Sequence, residues 1–378
     1  MRILVDYRPA LRQRSGVGEY VHQLARALAD RHGDRVDVFT SSWQDRPAAA
    51  DVADLGAAVR VVDRRIPVRW LAASWHRRGW PPVEWLTGRT YDVVHSPTPL
   101  LLPSQRAARV VTIHDLDFLA HPERTRAEMR HAYPALAAAH AAAADGVIVV
   151  SEHVAEKASR LLRIERERIS VCPHGIPRWA PEPRVEPGNP GGRYILFLGT
   201  LEPRKNIDGL LAAYAALVSR RPDVPPLKLA GGAVAGAESW RDAIAAPPLA
   251  GRVVYHGYVR DSERQAVYAG ARLLVLPSFD EGFGMPVVEA MSLGIPVVAS
   301  TRGALPEVSG GAALLADPED VTGISEAMER VLFDPVLARR MAEDGLRRSD
   351  DFSWARAAAS TRVAYERAIQ ARHVRLGG

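Results

Sequence analysis

The chain reads as an α/β protein with two open parallel sheets, one following the other, and three observations predict it. Short apolar runs alternate with helix-like segments along the whole length, a proline- and glycine-rich stretch interrupts that rhythm midway, and 378 residues exceed what one core usually supports. In the first half the runs are Ile3-Leu-Val, Val36-Asp-Val-Phe, Val59-Arg-Val-Val, Val93-Val-His, Val110-Val-Thr-Ile, Val147-Ile-Val-Val and Ile169-Ser-Val-Cys. Such near-continuous hydrophobicity suits strands covered by helices on both faces. Val17 to Leu28 and Arg124 to Ala144 carry the helical spacing expected between them.

The stretch 179–193, Trp-Ala-Pro-Glu-Pro-Arg-Val-Glu-Pro-Gly-Asn-Pro-Gly-Gly-Arg, excludes helix and central strand alike, and is expected to link a first domain, 1–178, to a second, 194–353. The strand pattern restarts with Tyr194-Ile-Leu-Phe-Leu, Leu227-Lys-Leu-Ala, Val253-Val-Tyr, Leu273-Leu-Val-Leu and Pro296-Val-Val-Ala. A closing helical pattern, within 354–378, is expected to cross back to the first domain.

Composition narrows the setting. With 47% hydrophobic and 25% charged residues the chain belongs with folded globular proteins. The single cysteine, Cys172, excludes an internal disulfide and a zinc site built on several thiolates. No signal peptide or spanning segment is read, since the alanine run Ala135 to Ala144 contains His140 and is far shorter than the roughly 20 residues a spanning helix needs. A cytoplasmic location follows as the expectation. A net charge of +5, carried almost wholly by arginine, favours anionic partners. Nucleic acid is not among them, because no recognisable binding module is present.

In open α/β sheets ligands bind beyond the carboxyl ends of the strands, so the residues after each strand carry the chemistry. After the first strand comes Arg14-Ser-Gly-Val-Gly-Glu-Tyr, where Gly16 and Gly18 either bring bare amides to an anion at a helix start or simply make a tight turn. After Tyr194 to Gly199 comes Thr200-Leu-Glu-Pro-Arg-Lys-Asn, which sets Arg204 beside Lys205, one of three lysines in the chain. Two cations at a helix start oppose the helix dipole; an anion such as a leaving diphosphate accounts for them better than solubility does. After Leu273 to Leu276 comes Pro277-Ser-Phe-Asp-Glu-Gly-Phe-Gly-Met-Pro-Val-Val-Glu-Ala-Met, a glycine loop opening a helix near Pro286. Glu281 precedes that loop. Glu289 lies in the first turns of an otherwise apolar helix, where a carboxylate can accept two ribose hydroxyls.

The two glutamates with seven residues between them, Glu281 to Glu289, resemble the signature of the retaining GT-B glycosyltransferases of family 4. Arg204 and Lys205 are similar to that family's Arg-Lys pair, and the N-terminal glycine loop, Thr112-Ile-His-Asp, Val150-Ser-Glu and Pro173-His-Gly-Ile extend the resemblance over nearly the whole chain. The resemblance implies a GT-B architecture: two Rossmann-like open parallel-sheet domains facing across a cleft. It also implies roles. Gly16 and Gly18 would lie at the donor, Arg204 and Lys205 at its diphosphate, Glu281 at the sugar hydroxyls, Glu289 at the ribose and His114 beside the transferred sugar. Gly199, Thr200, Gly282, Phe283, Gly284 and Met285 would complete the donor site. The implied reaction is metal-independent hexosyl transfer in polysaccharide biosynthesis, from a nucleoside diphosphate sugar, GDP-mannose first, to a glycan or lipid-linked acceptor. No cofactor is needed.

Other patterns in the chain point elsewhere. Asp115-Leu-Asp117 has the form of a metal-binding Asp-x-Asp, but Arg204 and Lys205 can neutralise a diphosphate without a metal ion. Cys172 and His174 flank a proline and make a poor nucleophile pair. A sugar-nucleotide epimerase of the same architecture, or an inactive sugar-nucleotide-binding subunit, are the alternatives of other classes. Between Arg60 and Trp80, arginines interleave with Trp70, Trp75 and Trp80, which suits peripheral contact with an anionic membrane face, stacking of an acceptor sugar, or an ordinary surface helix.

Overall fold

The computed structural model describes residues 1–11, 16–31, 33–121, 132–179, 186, 188–234 and 239–377. The described residues divide into two compact units, Met1–Gly175 with Ser353–Gly378, and Ile176–Phe352.

In the first unit all seven apolar runs are strands: β1 (Arg2–Asp6), β2 (Arg35–Ser41), β3 (Val59–Arg64), β4 (Val93–Ser96), β5 (Ala108–Ile113), β6 (Gly146–Val149) and β7 (Ile169–Val171). They form one parallel sheet in the order β3-β2-β1-β4-β5-β6-β7. The order reverses beside β1, so the loops after β1 and β4 splay apart and leave room for a ligand. A helix spans Val17–Arg31, as the spacing predicts, and another spans Ala132–Ala143. The start of the expected helix at Arg124 lies outside the described residues.

The closing helix, Trp354–Gly377, packs on Val17–Arg31 and on β5 to β7. Its small residues Ala357, Ala358, Ala364 and Ala368 let it approach closely, and Tyr365 enters the same core as Tyr20, Leu24, Val110 and Ile148. Gly175 is required at this junction, since a β-carbon there would lie 2.2 Å from the Trp354 amide nitrogen. The far end is held by the buried Asp145, with Arg375 at 3.1 Å and Arg109 at 3.6 Å.

In the second unit β8 (Tyr194–Leu198), β9 (Leu227–Ala230), β10 (Val253–Gly257), β11 (Ala271–Leu276), β12 (Val297–Ser300) and β13 (Leu314–Ala316) form a parallel sheet ordered β10-β9-β8-β11-β12-β13. The last strand was not expected: its three residues, after Gly310 and Gly311, are too few to show a pattern. This sheet reverses between β8 and β11, which brings the two most informative loops of the sequence to one place. Of the expected linker 179–193, residues 180–185 and 187 lie outside the described residues. Among its described residues, Trp179 Nε1 donates to Ser292 Oγ at 2.7 Å and Asn189 Nδ2 donates to the carbonyls of Ala269 and Ala271 at 2.9 and 2.6 Å, so it is tied to the second unit.

Candidate functional site

In the second unit β8 is followed by Gly199, whose amide donates to the Ala230 carbonyl at 2.9 Å. The backbones touch here, because a β-carbon on Gly231 would stand 1.9 Å from the Gly199 carbonyl oxygen. Thr200 is exposed just beyond. The chain then makes a 3-10 turn, Pro203–Lys205, and Asn206 caps the following helix, Ile207–Arg220, its Oδ1 accepting from Gly209 N at 3.2 Å. The Asn206 amide also donates to the carbonyls of Pro277 and Pro318, at 3.2 and 2.6 Å, and so pins the turn to the end of β11. The turn and the β11 loop are therefore one rigid piece.

That piece carries a buried charge cluster. Glu281, 5% exposed, accepts from Lys205 Nζ and from Ser278 Oγ at 2.7 Å through one oxygen, and from Arg204 at 3.2 Å through the other. Arg204 donates further to Glu202 at 2.8 Å and to the Asp280 carbonyl at 2.7 Å. Burial pushes the Glu281 carboxyl up, but Lys205 and then Arg204 outweigh it and hold it below the usual range. The anion between the two cations, as the protein stands alone, is its own carboxylate.

Beyond Glu281, Gly282 and Phe283 are buried, and the Phe283 ring packs edge-on against Phe352 at 5.5 Å. The Phe283 ring is thus occupied within the second unit. Gly284, at φ +92°, caps the helix Met285–Ser292; a β-carbon there would meet Leu305 at 2.4 Å, so glycine is obligatory and the helix start stays bare of a side-chain cap. Glu289 is fully buried, accepting from the Tyr268 hydroxyl at 2.7 Å, with Arg264 Nε at 3.5 Å. Burial, and then the neighbouring Glu289, pushes the Tyr268 phenol well above its usual value, so it stays a donor. Glu281 and Glu289 use different partners and do not pair. Ser278, Tyr268 and Arg264 were missed, although Ser278 stands two residues beyond a strand end.

The first unit gathers a different set at the ends of β4 and β5. His95 lies 2.7 Å from the Tyr365 hydroxyl and 2.7 Å from Thr112 Oγ1, which Tyr20 approaches at 3.2 Å. His114 stacks on His174, ring centroids 5.2 Å apart and planes within 5°, and Tyr20 sets its edge against both. His114 Nε2 is 3.1 Å from the Pro97 carbonyl and Nδ1 is 3.4 Å from His174 Nε2. A carbonyl only accepts, so Nε2 of His114 carries the proton and Nδ1 receives one from His174. Burial lowers His114 to about 4, Asp115 opposing it only in part, and lowers His95 to about 3, helped by His114. His174 lies well below the ordinary value for the same two reasons. All three are neutral near pH 7. Tyr20, His95 and Tyr365 escaped the sequence reading of this site, and His174 entered it only as part of a motif and beside Cys172, because their meeting is tertiary, spread from the first helix to the last.

The remaining candidates are simpler. Gly16, exposed at φ +54°, accepts the Tyr20 amide at 3.0 Å at the helix start, and Gly18 is buried in the first turn; Arg14 and Ser15 lie outside the described residues. Asp115 accepts the Asp117 amide at 3.3 Å, a local turn contact, and among the described residues no three His, Cys, Asp or Glu side chains are arranged to hold a metal ion. Burial pushes the Cys172 thiol up to about 12, which removes it as a nucleophile.

Two parallel-sheet units with these loops define a glycosyltransferase of the GT-B type. Residues 14–180 match the model of Glycosyltransferase Family 4 and residues 181–348 that of Glycosyl transferases group 1. The O-antigen chain mannosyltransferase B of Escherichia coli is 31% identical, over 97% of this chain and all of its own. A D-inositol 3-phosphate glycosyltransferase of Arthrobacter is 27% identical, over 94% of this chain and 90% of its own. Among solved structures, the sucrose-phosphate synthase of Thermosynechococcus elongatus has the same fold, with a TM-score of 0.75 at 22% identity over 97% of this chain and 98% of that one. The chain belongs to glycosyltransferase family 4.

Proposed function

We propose that the protein transfers a hexosyl unit, mannose first, from a nucleoside diphosphate sugar to a hydroxyl of a glycan or lipid-linked saccharide, with retention at the anomeric carbon and without a metal ion. The observation that carries this reading is the cluster of Arg204, Lys205 and Glu281 beside the uncapped helix start at Gly284. Two fixed cations and the Gly284 and Met285 amides at the helix start suit the charge that gathers on a diphosphate as it leaves. In this reading the bond from the anomeric carbon to the diphosphate breaks while the acceptor oxygen attacks from the same face. The departing phosphate oxygen takes the acceptor proton, so no protein base is required.

The residues divide the work. Arg204 and Lys205 hold the diphosphate, with the Gly284 and Met285 amides beside them. Glu281 receives sugar hydroxyls once the diphosphate shares its cations, and Glu289 fixes the ribose. His114 stands beside the transferred sugar as a neutral group, since both its nitrogens are occupied. Mannose is favoured because the 31% identical relative carries the name mannosyltransferase.

Thermal-shift screening of GDP, UDP, ADP and TDP sugars, followed by product analysis with the best one, tests the reading. A stabilising shift with one sugar nucleotide and a glycosylated acceptor are expected. Free epimerised sugar nucleotide, released without any acceptor, would turn the assignment to an isomerase.

A further inference from the structure

The first unit has a tryptophan- and arginine-bearing face that the transfer chemistry does not use. Among the described residues the exposed tryptophans are Trp43, Trp70, Trp80 and Trp85, with 69%, 76%, 53% and 62% of their surface open to solvent, and all fall within 43–85. The helix Val68–Arg78 is two-faced: Leu71 and Trp75 turn inward, while Arg69, Trp70, Ala73 and Arg77 are exposed on the other side. Ser74, one turn on from Trp70, donates to the Trp80 carbonyl, and the Trp80 ring meets Trp85 at 5.9 Å. Trp43 follows Ser41, whose partner in β3 is Arg64, so it emerges at the sheet end where this segment begins. The sequence could not separate Trp75, which is core and donates to the Pro81 carbonyl at 2.9 Å, from its exposed neighbours.

The charge of this face is predominantly positive. From Arg64 to Val83 there are five arginines and no acidic residue. The flanking acids are engaged elsewhere: Asp63 accepts from Thr40 at 2.7 Å, and Glu84 accepts from Ser104 and from the Gln105 amide at 3.3 Å. No described helix is long and apolar enough to cross a membrane. Indoles that project from two helices, Val68–Arg78 and Val83–Thr87, and two loops, rather than line a pocket, are placed to enter a headgroup layer, while arginines around them gain from negative lipid charge. A neutral saccharide would use the indoles and leave the arginines without purpose.

We infer that this face, centred on Trp70, Trp80 and Trp85 with Arg69, Arg77 and Arg78, docks the protein on an anionic lipid surface. The inference is independent of the donor chemistry, and its test contains no nucleotide. The full chain is sedimented with vesicles of phosphatidylcholine alone and of phosphatidylcholine mixed with phosphatidylglycerol, at low and at high salt. Binding is expected only to the mixed vesicles, falling as salt rises. Combining Arg69→Glu, Arg77→Glu and Arg78→Glu lowers the partition coefficient by roughly 10²-fold, and combining Trp70→Ala, Trp80→Ala and Trp85→Ala lowers it by roughly 10-fold or more. Wild-type protein left in the supernatant with mixed vesicles at low salt overturns the inference. So do folded variants that bind like wild type, or binding indifferent to lipid charge. The lipid and salt comparison on wild type decides alone if a variant misfolds.

Discussion

In the second unit the buried Lys205 and Glu281 and the part-buried Arg204 are charged and bonded through the carboxylate, whereas in the first unit His95 and His174 are buried, and His114 between them nearly so, in a form that carries no charge. The difference lies in what each burial demands. Charges taken out of water persist only while each keeps its partner, so removing one leaves the others uncompensated. Imidazoles escape that demand by shedding the proton, and what remains is shape and hydrogen bonding. The first cluster holds charge that an arriving diphosphate can share. The second holds geometry that ought not to change with pH across the neutral range.

The strongest way to break this comparison is Lys205→Ala. Losing a preorganised charge at the leaving group should lower kcat by roughly 10²-fold or more, measured in steady-state turnover with the preferred donor. Turnover near the wild-type value would remove the leaving-group role, and would leave the Lys205–Glu281 contact a matter of stability alone.

Acid pH separates the units next. His95 binds its proton at about 3 and His114 at about 4 in the folded protein, against an ordinary value of 6.5. The unfolded chain therefore takes up protons first as the pH falls, so stability is whole above 6.5 and drains as the pH drops towards 4 and 3. Glu281, held below its ordinary 4.5, keeps its contribution until the pH falls under that value. Between pH 6.5 and 5 the weakening should thus fall mainly on the first unit. Hydrogen exchange followed peptide by peptide should show β4, β5 and the closing helix opening while β8 and β11 stay protected, with the midpoint of thermal unfolding lower by about 5 °C or more. Earlier exchange in the second unit would reverse the comparison.

A smaller effect is expected at Glu289. Glu289→Gln keeps the shape and a hydrogen-bond acceptor for Tyr268 but discards the charge that fits two ribose hydroxyls. Nucleotide affinity should weaken by about 10-fold, roughly the scale of one charge-assisted hydrogen bond, read as Kd by calorimetry. An unchanged Kd contradicts the ribose assignment. Tyr268→Phe sharpens the test, because it removes the Glu289 partner without touching the carboxylate.

These contrasts also mark what the sequence could tell. The strands were legible because parallel strands buried on both faces are continuous apolar runs, and β13 was not because three residues hold no period. Arg204, Lys205 and Glu281 were legible because a loop after a strand has few reasons to carry such side chains. Their mutual neutralisation was not, because β8 and β11 become neighbours only through the sheet order. The histidine cluster was the least legible part. Its members come from the first helix, two strands, two loops and the last helix, and nothing near Tyr365 in sequence announces His95. Burial decided the tryptophans too, since Trp70 and Trp75 look alike until the helix is laid on its core.

The smallest effect is expected from removing metal ions. Asp115 and Asp117 have the spacing of a cation site, yet Asp115 Oδ1 accepts the Asp117 amide, and Asp117 is 6% exposed at the start of the helix Asp117–Ala120. Recruiting both carboxylates to a cation would break that turn contact and draw a buried carboxylate outwards, a cost with no need behind it if Arg204 and Lys205 already neutralise the diphosphate. Turnover in EDTA should therefore match turnover in buffer within experimental error. A loss of activity restored by Mn²⁺ would return the diphosphate to Asp115 and Asp117, and would make the Arg204–Lys205–Glu281 cluster a structural tie between β8 and β11.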